Sequence, residues 1–282
     1  MQKSIRFIRE NLSGLYPQRE TESVIKLIFS QLCGYSVTDF ILHKDNILSD
    51  DMRRQIEDIT EKLIQKVPIQ YALGYTDFYG YNFQVSPDVL IPRPETEELV
   101  SWIIEENPQF EGNLADLGTG SGCIAISLAL AFPLAYTEGW DISDAALQIA
   151  AANSTRLKAG TKWIKNDILN FIPRENDLRY DIIVSNPPYV CEQEKQDMDA
   201  NVLEYEPHAA LFVPDDDPLL FYRKIAEISR SLLHHEGELF FEINERFGKE
   251  CQELLADMNF HDIRIKHDIF GKERMIAARY NQ

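Results

Sequence analysis

Hydrophobic residues in the first 75 positions recur at the three- and four-residue spacing of amphipathic helices. This spacing is found in Ile5, Ile8 and Leu12, in Val24, Leu27, Ile28 and Leu32, and in Ile56, Ile59, Leu63, Ile64 and Val67. Gly34 is expected to end the second of these helices. Ser49, which precedes two aspartates, predicts the N-cap of the third helix, and Pro68 is expected to end it. Residues 1–75 are therefore predicted to form a small helical domain.

The pattern changes at Thr76, where a run of aromatic and polar residues typical of strands extends to Val85. Gly80 marks a turn in this run, so residues 76–90 are predicted to form a β-hairpin linker. From residue 91 onward, short apolar runs alternate with helical patterns. Strands are predicted at Asn113–Leu117, Ala135–Asp141, Lys162–Lys165, Tyr180–Ser185, Glu238–Ile243, Ile263–Lys266 and Arg274–Ala278. Helices are predicted at Thr96–Glu106, Gly122–Phe132, Ser143–Lys158, Pro218–Leu233 and Phe247–Met258.

This alternation predicts the architecture of residues 91–282. Strands that alternate with helices form a mostly parallel sheet that is covered by helices on both faces. The last two strands lie close together in the sequence, and we expect them to form an antiparallel hairpin at the end of the sheet. The predicted fold class is α/β and Rossmann-like, with a second, smaller helical domain at the N-terminus.

Composition and charge narrow the possible functions. A chain with 44% hydrophobic and 26% charged residues has an ordinary globular composition, which excludes a disordered protein. The net charge of −18 disfavours a freestanding nucleic-acid binder, because affinity for phosphates comes mostly from Lys and Arg. The longest apolar stretch, 123–132, is much shorter than the roughly 20 residues that a membrane span needs. We therefore expect no direct contact with nucleic acid and none with a membrane.

The first residues and the cysteines bear on the cellular compartment. The N-terminus has no apolar segment of the kind found in signal peptides. The four cysteines form no CxxC pair, which argues against a zinc site and against a disulfide framework. We expect a cytoplasmic protein without a metal.

A glycine-rich turn separates the first predicted strand of the sheet from the helix that follows it. It contains Gly118, Thr119, Gly120, Ser121 and Gly122. Glycines permit a tight turn and let backbone N–H groups approach a ligand closely. A dinucleotide site has the spacing G-x-G-x-x-G, whereas the spacing G-x-G-x-G found in this turn better suits S-adenosylmethionine. A turn that binds no ligand is the alternative.

Acidic residues end or follow the next two strands. Asp141 lies about twenty residues after the glycines, where a carboxylate can accept hydrogen bonds from both hydroxyls of a ribose. The alternative role for Asp141 is to cap the next helix. Asp167 and Ile168 follow the third strand, where the carboxylate is expected to accept the amine of an adenine while Ile168 packs on its ring. A solvated turn explains this last pair equally well when it is taken alone.

The fourth strand ends in Asn186, Pro187, Pro188 and Tyr189. Two prolines remove two N–H donors, so the Asn186 side-chain oxygen and the Pro187 carbonyl are left to accept the hydrogens of a substrate –NH2 group. Tyr189 offers a flat face for a planar amide or base. An amide nitrogen is a poor nucleophile because its lone pair is conjugated. Holding both hydrogens out of plane aims the lone pair at a methyl donor, so Asn186 is the predicted catalytic residue.

Together these motifs resemble the PrmC (HemK) family of peptide chain release factor N5-glutamine methyltransferases. The resemblance extends over the whole chain and is most specific at Ile91-Pro-Arg-Pro-Glu-Thr-Glu, since Asn-Pro-Pro-Tyr also occurs in DNA adenine and ribosomal RNA guanine methyltransferases. It implies a class I S-adenosylmethionine-dependent methyltransferase domain at 91–282 with an N-terminal helical bundle. The neutral charge and separate helical pattern of residues 1–75 suggest that they form a substrate-docking domain. The implied substrate is the glutamine of the Gly-Gly-Gln motif in class-1 release factors. A related enzyme that modifies a ribosomal protein shares these motifs.

Acidic residues dominate the segment after Tyr189. Between Cys191 and Asp217 there are nine acidic residues and one lysine, Lys195. Such a segment beside the site would repel phosphates and attract a basic protein loop. This argues against the first alternative, a DNA or RNA amino-methyltransferase. A non-catalytic interaction module is a weaker alternative, because all the predicted site residues are present. A nucleotide-dependent dehydrogenase is also weaker, because the glycine spacing does not match that of a dinucleotide site.

Overall fold

The computed structural model describes residues 1–43 and 45–281, which separate into two compact units. The first unit contains Met1–Tyr75 together with a short, distant segment, Asp199–Tyr205. The second contains Thr76–Met198 and the chain from Glu206 onward. The first unit is therefore discontinuous in sequence, which no pattern in the sequence indicated.

Helices make up the first unit, and strands alternate with helices in much of the second. In chain order the helices are α1 (Gln2–Leu12), α2 (Gln18–Cys33), α3 (Val37–Leu42), α4 (Asp50–Ile64), α5 (Ile69–Leu73), α6 (Pro94–Glu106), α7 (Cys123–Ala131), α8 (Asp144–Leu157), α9 (Ala200–Tyr205), α10 (Leu220–Leu232) and α11 (Gly248–Asp257). The strands are β1 (Tyr75–Phe78), β2 (Tyr81–Gln84), β3 (Asn113–Leu117), β4 (Tyr136–Asp141), β5 (Thr161–Lys165), β6 (Tyr180–Ser185), β7 (Val190–Cys191), β8 (Phe212–Val213), β9 (Leu233–Glu242), β10 (Phe260–His267) and β11 (Glu273–Tyr280).

Two of the three helix-end signals predicted for the first unit are confirmed. Gly34 ends α2 in the left-handed conformation, with φ of 66°, and the Ser49 hydroxyl accepts a hydrogen bond from the Met52 N–H at the start of α4. The prediction for Pro68 was wrong. The helix ends at Ile64, and Pro68 is the N-cap of α5, because its fixed φ suits the start of a helix as well as it prevents continuation. In α9, the Tyr205 hydroxyl donates to the Gln65 carbonyl at 2.6 Å.

The second unit is built on a seven-stranded sheet with the order β10-β11-β9-β6-β3-β4-β5. Neighbouring strands from β9 to β5 run parallel, while β11 is antiparallel to both β9 and β10. The sheet is therefore mostly parallel with an antiparallel end, and the predicted fold class is confirmed. Strands β3 and β6 have the predicted bounds, because each is a short buried apolar run that ends at a glycine or a proline.

The chain reverses its direction across the sheet beside β3. Strands β4 and β5 follow β3 on one side, and β6 returns to the other side. Open α/β sheets bind ligands at such a switch point, outside the carboxyl ends of the strands. In this sheet the Ser185 hydroxyl at the end of β6 donates to the Leu117 carbonyl at the end of β3. The loops that follow Leu117 and Ser185 therefore start side by side.

Alternation along the strands divides the apolar core into two layers. In β6, Ile183 packs in the core layer that contains residues of α10 and α11, whereas Ile182 and Val184 pack in the layer that contains residues of α6 and α7. Helix α7 is apolar all round, and seven of its nine residues are buried. Phe78 and Phe83 of the β1–β2 pair join this second layer, so the predicted hairpin packs into the core of the second unit.

Two parts of the second unit differ from the sequence-based prediction. Strand β9 begins at Leu233, five residues earlier than predicted, so it follows directly on α10. Between Asn186 and Asp217, where no elements were predicted, β7 pairs with β8 and two short 3₁₀ helices form. These elements are too short to produce a periodic pattern in the sequence.

Candidate active site

A cavity of about 660 Å³ lies over the carboxyl ends of the parallel strands. Of the site residues that the sequence predicted, ten line it: Gly118, Thr119, Gly120, Ser121, Asp141, Asp167, Ile168, Asn186, Pro187 and Pro188. Gly122 and Tyr189 do not line it. Separate loops of the sheet edge thus contribute side chains or backbone to one concave surface.

The glycine loop is held open toward this cavity. The N–H groups of Gly118 and Thr119 both donate to the Trp140 carbonyl at 2.9 Å, which fixes the loop on β4. Gly118 and Gly120 have φ of 80° and 54°, and a Cβ at either position would meet no atom within 4 Å. The loop therefore leaves free space where other residues would project a side chain. Gly122 differs, because a Cβ there would be 2.8 Å from the Trp163 ring, so this glycine serves packing.

Asp116 lies at the end of β3 beneath the loop and is completely buried. Its Oδ2 accepts hydrogen bonds from the Thr119 hydroxyl at 2.6 Å and from the Ala125 N–H at 3.3 Å. Its Oδ1 has no partner in the described part of the chain. Burial raises the pKa of Asp116 to about 7, although both hydrogen bonds act in the opposite direction. The Asp116 carboxyl is thus an under-satisfied polar group next to the cavity.

Asp141 lines the cavity in a fixed orientation. Its Oδ2 accepts from the Gly120 N–H and its Oδ1 from the Ser143 N–H, both at 2.9 Å. Each oxygen retains a lone pair, so the carboxylate can still accept two hydroxyls. Ser143 itself caps α8 by accepting from the Ala146 N–H. Because Ser143 is the N-cap, the alternative role for Asp141 as the cap is wrong.

The loop after β5 contributes a polar and an apolar side chain, Asp167 and Ile168. Asp167 accepts from the Leu169 N–H at 3.0 Å and from Asn170 Nδ2 at 2.8 Å, which turns the loop back on itself. Ile168 lines the cavity, and so does Ile142 directly after Asp141. Ile142 is 58% exposed, which is unusual for an isoleucine beside a strand end. It was not among the predicted site residues, although an apolar residue directly after a strand-end acid was a visible signal.

Asn186 is oriented by a chain of buried hydrogen bonds that the sequence did not indicate. Asn186 Nδ2 donates to Thr96 Oγ1 at 3.3 Å, and the Thr96 hydroxyl donates to Glu242 Oε2 at 2.6 Å. The Tyr189 hydroxyl donates to Glu242 Oε1 at 2.9 Å. Thr96 and Glu242 are 2% and 1% exposed. Asn186 Oδ1 receives no hydrogen bond from residues 1–43 or 45–281 and remains able to accept one.

Tyr189 is therefore placed differently from the expectation. Its hydroxyl is directed at Glu242, and its ring packs against the core layer of α10 and α11. Burial and the adjacent Glu242 carboxylate raise the pKa of Tyr189 well above its usual value, so the hydroxyl keeps its proton. In this geometry Tyr189 supports Glu242, and its stacking on a substrate stays a prediction.

Pro92 and Arg93 of the segment Ile91-Pro-Arg-Pro line the cavity. The Arg93 guanidinium donates to Glu206 Oε1 at 2.6 Å, and the Ile91 N–H donates to Glu206 Oε2 at 3.3 Å. The Glu206 side chain is 1% exposed. The Glu206 carboxylate thus fixes both the Ile91 backbone and the Arg93 side chain. The sequence had counted Glu206 among the acids of the segment after Tyr189, which were expected to attract a partner.

Comparisons with known proteins agree with these motifs. Residues 5–74 match the model of the PrmC N-terminal domain, and residues 95–208 match the methyltransferase small domain. The chain is 46% identical to a release factor glutamine methyltransferase of Bacteroides thetaiotaomicron, over 99% of both chains. It is 44% identical to that of Flavobacterium psychrophilum, over 95% of both chains. The chain belongs to the family of release factor glutamine methyltransferases. The resemblance that the motifs suggested is confirmed.

Solved structures outside the family share the fold. A 16S rRNA methyltransferase of Thermus thermophilus, in complex with AdoMet and guanosine, is 17% identical and has a TM-score of 0.53. That match covers 73% of this chain and 50% of the other. It supports the assignment of the second unit to the class I methyltransferase fold.

The cavity fits the cofactor that such methyltransferases use, S-adenosylmethionine. The space above Gly118 and Gly120 admits a ligand against the backbone, and Asp141 offers two acceptors for a ribose. The family, the fold and this fit identify the chain as an S-adenosylmethionine-dependent methyltransferase.

The acidic segment is less available to a partner than the sequence suggested. Several of its acids pair within the chain: Glu192 with Lys195, Glu194 with Arg246, Glu206 with Arg93, and Asp217 with Arg223. In the described residues, Asp197, Asp199, Glu204, Asp215 and Asp216 are exposed and form no ion pair. The segment still has an acidic surface, but only five of its nine acidic residues contribute to it without a partner charge in the described residues.

The described chain contains no helix that is long and apolar enough to cross a membrane.

Proposed function

We propose that this enzyme transfers a methyl group from S-adenosylmethionine to the side-chain amide nitrogen, N5, of a glutamine. S-adenosylmethionine supplies an electrophilic methyl group on a positively charged sulfur. The orientation of Asn186 carries this proposal, because its Nδ2 is engaged by Thr96 while its Oδ1 is left to accept a hydrogen from an incoming –NH2 group. Pro187 follows without an N–H, so the backbone next to Asn186 offers acceptors alone.

Two acceptors suit an amide –NH2 group in particular. Asn186 Oδ1 and the Pro187 carbonyl each accept one hydrogen bond from the –NH2 group. The nitrogen lone pair is then free to point toward the methyl group. Most of the acceleration then comes from alignment of that lone pair with the methyl group, with no need for a strong base before transfer. The nitrogen becomes acidic once it gains the methyl group, so its proton can leave afterwards.

We further propose that the glutamine lies in the Gly-Gly-Gln motif of class-1 release factors. Proteins 46% and 44% identical to this chain over nearly their full length are named release factor glutamine methyltransferases. The exposed acids at 197 and 215–216 favour a basic protein loop over a nucleic acid. Because release factors act in translation, the enzyme would work in the cytoplasm. The N-terminal unit, 1–75, would bind the folded release factor while the second unit holds the glutamine.

The test is methyl transfer from labelled S-adenosylmethionine to four separate acceptors: a class-1 release factor, a ribosomal protein, DNA and RNA. We expect label on the release factor alone, and loss of that label when its Gly-Gly-Gln glutamine is replaced by alanine. Label mainly on the ribosomal protein would keep the glutamine chemistry but change the target. Label mainly on nucleic acid would refute the proposal.

Asn186→Ala tests the chemistry. Removing one preorganised polar group of this kind costs roughly 10²–10³ in rate. We expect that loss in kcat, with a smaller change in the affinity for S-adenosylmethionine, because the glycine loop and Asp141 remain. Near-normal turnover would show that Asn186 does not orient the nitrogen.

A further inference from the structure

The hydrogen bonds behind Asn186 have a direction that fixes which end of its amide faces the cavity. When it is ionised, the Glu242 carboxylate only accepts, so the hydrogen of the Thr96 hydroxyl is committed to it at 2.6 Å. Thr96 can then offer only a lone pair to Asn186. The group at 3.3 Å from Thr96 must therefore be the amide NH2 of Asn186, and the amide oxygen is left for the cavity.

We propose that Thr96 and Glu242 are positioning residues that hold the Asn186 amide in its catalytic orientation. The proposal rests on the proposed function, since that function requires Asn186 to present its oxygen to the substrate –NH2 group. An asparagine amide is nearly symmetric in shape, so packing alone distinguishes its oxygen from its nitrogen poorly. A flipped Asn186 would fill the same space but direct two hydrogens at the hydrogens of the substrate.

Burial gives this arrangement its strength. Both side chains are almost completely excluded from water, which removes the competing partners that would let the Thr96 hydroxyl turn away. The second oxygen of Glu242 is occupied by the Tyr189 hydroxyl at 2.9 Å. Burial raises the pKa of Glu242, while these two hydroxyl donors and the neighbouring Arg274 act in the opposite direction. Burial outweighs these groups, so the pKa of Glu242 lies above its usual value. The arrangement requires the ionised carboxylate, and it should be lost at a pH low enough for Glu242 to bind a proton.

The residues that form this chain are far apart in sequence. Thr96 lies in the first turn of α6, and Glu242 ends β9 beside the carboxyl end of β6. Thr96 belongs to the motif Ile91-Pro-Arg-Pro-Glu-Thr-Glu, but the sequence alone assigned neither Thr96 nor Glu242 a role. Their pairing explains why a threonine and a glutamate are buried at this position, where two apolar residues would be easier to accommodate.

The test compares two variants that break the direction of the hydrogen bonds. Thr96→Val keeps the volume and removes the hydroxyl. Glu242→Gln introduces an amide that can donate to Thr96 Oγ1, which frees the Thr96 hydroxyl to donate to Asn186 and favours the flipped amide. We expect each to lower kcat on a release factor by about 10- to 100-fold, because misorientation at the reacting atoms costs rates of this order. KM and the affinity for S-adenosylmethionine should change less than about threefold.

Thr96→Ser keeps the hydroxyl and should restore most of the activity. The matched controls are Thr137→Val, a threonine 1% exposed in β4, and Glu238→Gln, a glutamate 6% exposed in β9. Neither lines the cavity, so both should retain wild-type kcat. A purely structural role would instead lower the melting temperature and the cofactor affinity of the test variants and controls alike.

A double-mutant cycle with Asn186→Ala decides whether the effect passes through Asn186. If it does, Thr96→Val and Glu242→Gln should cost little further activity once Asn186 is alanine. Wild-type kcat in both single variants, or losses that add in full to that of Asn186→Ala, would overturn the proposal. If Glu242→Gln fails to fold, Thr96→Val and its serine rescue give the same decision. A wild-type enzyme that does not methylate glutamine would refute the proposed function instead.

Discussion

The buried Asp116 gives the enzyme without cofactor a pH-dependent stability that can be calculated. Its pKa is about 7 in the folded protein, against 3.8 for an ordinary aspartate. The folded state therefore holds a proton that the unfolded chain has lost between these values, and stability falls as the pH rises. The slope is about 1.4 kcal/mol per pH unit for one proton, and the effect ends above the folded pKa.

Asp116→Asn removes this titration while keeping an acceptor for Thr119 and Ala125. Between pH 5 and pH 8 the free energy of unfolding of the wild type should fall, relative to the variant, by about 3 kcal/mol. The variant has an amide NH2 where Oδ1 was unpartnered, which costs about 1–3 kcal/mol at every pH. This offset leaves the pH dependence of the difference unchanged.

The assay is urea unfolding at several pH values, without cofactor, for wild type and Asp116→Asn. All other titrating groups are shared, so the difference between the two curves isolates Asp116. A parallel pair of curves from pH 5 to pH 8 would refute the reasoning, because it would mean that Asp116 is not protonated in the fold. As a control, Asp144→Asn, an exposed aspartate of α8, should give curves parallel to the wild type.

Three further predictions concern the cofactor and the N-terminal unit. Asp141→Ala should weaken S-adenosylmethionine binding roughly ten- to hundredfold in calorimetry, because a charge-assisted hydrogen bond contributes about 1.5–3 kcal/mol; unchanged affinity would contradict the ribose role. Gly120→Val should abolish measurable cofactor binding while the protein still folds, since the new side chain would occupy the cavity and strain a backbone with φ of 54°; retained binding would mean that the loop is not a cofactor surface. Ser49→Ala should destabilise the first unit by about 1 kcal/mol without changing kcat, as measured by thermal unfolding and methyl transfer, and equal melting temperatures would show that the cap is dispensable.

Local patterns predicted those parts of the fold that depend on neighbours in sequence. Strands β3 and β6 ended where the sequence indicated, because glycine and proline stop an apolar run whatever surrounds it. The meeting of the glycine loop with Asn186 also followed from the alternation of strands and helices, since parallel strands bring their carboxyl ends to one edge.

Contacts between residues that are far apart in the sequence could not be predicted. Thr96 and Glu242 are 146 residues apart, and no local pattern distinguishes a threonine that orients an asparagine from one on the surface of a helix. Glu206 was counted with the exposed acids because composition records charge without its partner, Arg93. Tyr189 was expected in the cavity since it adjoins Pro188, but its hydroxyl is directed at Glu242. Predicting each of these required the assembled sheet.

The discontinuity of the first unit constrains the order of events during synthesis. Residues 1–75 leave the ribosome first, but Asp199–Tyr205 belongs to the same unit and is made about 125 residues later. At 5–20 residues per second, this segment follows after roughly 6 to 25 s. By then β3, β4, β5 and β6 have been translated. The N-terminal unit thus cannot be completed before strands β3 to β6 of the other unit have been synthesised.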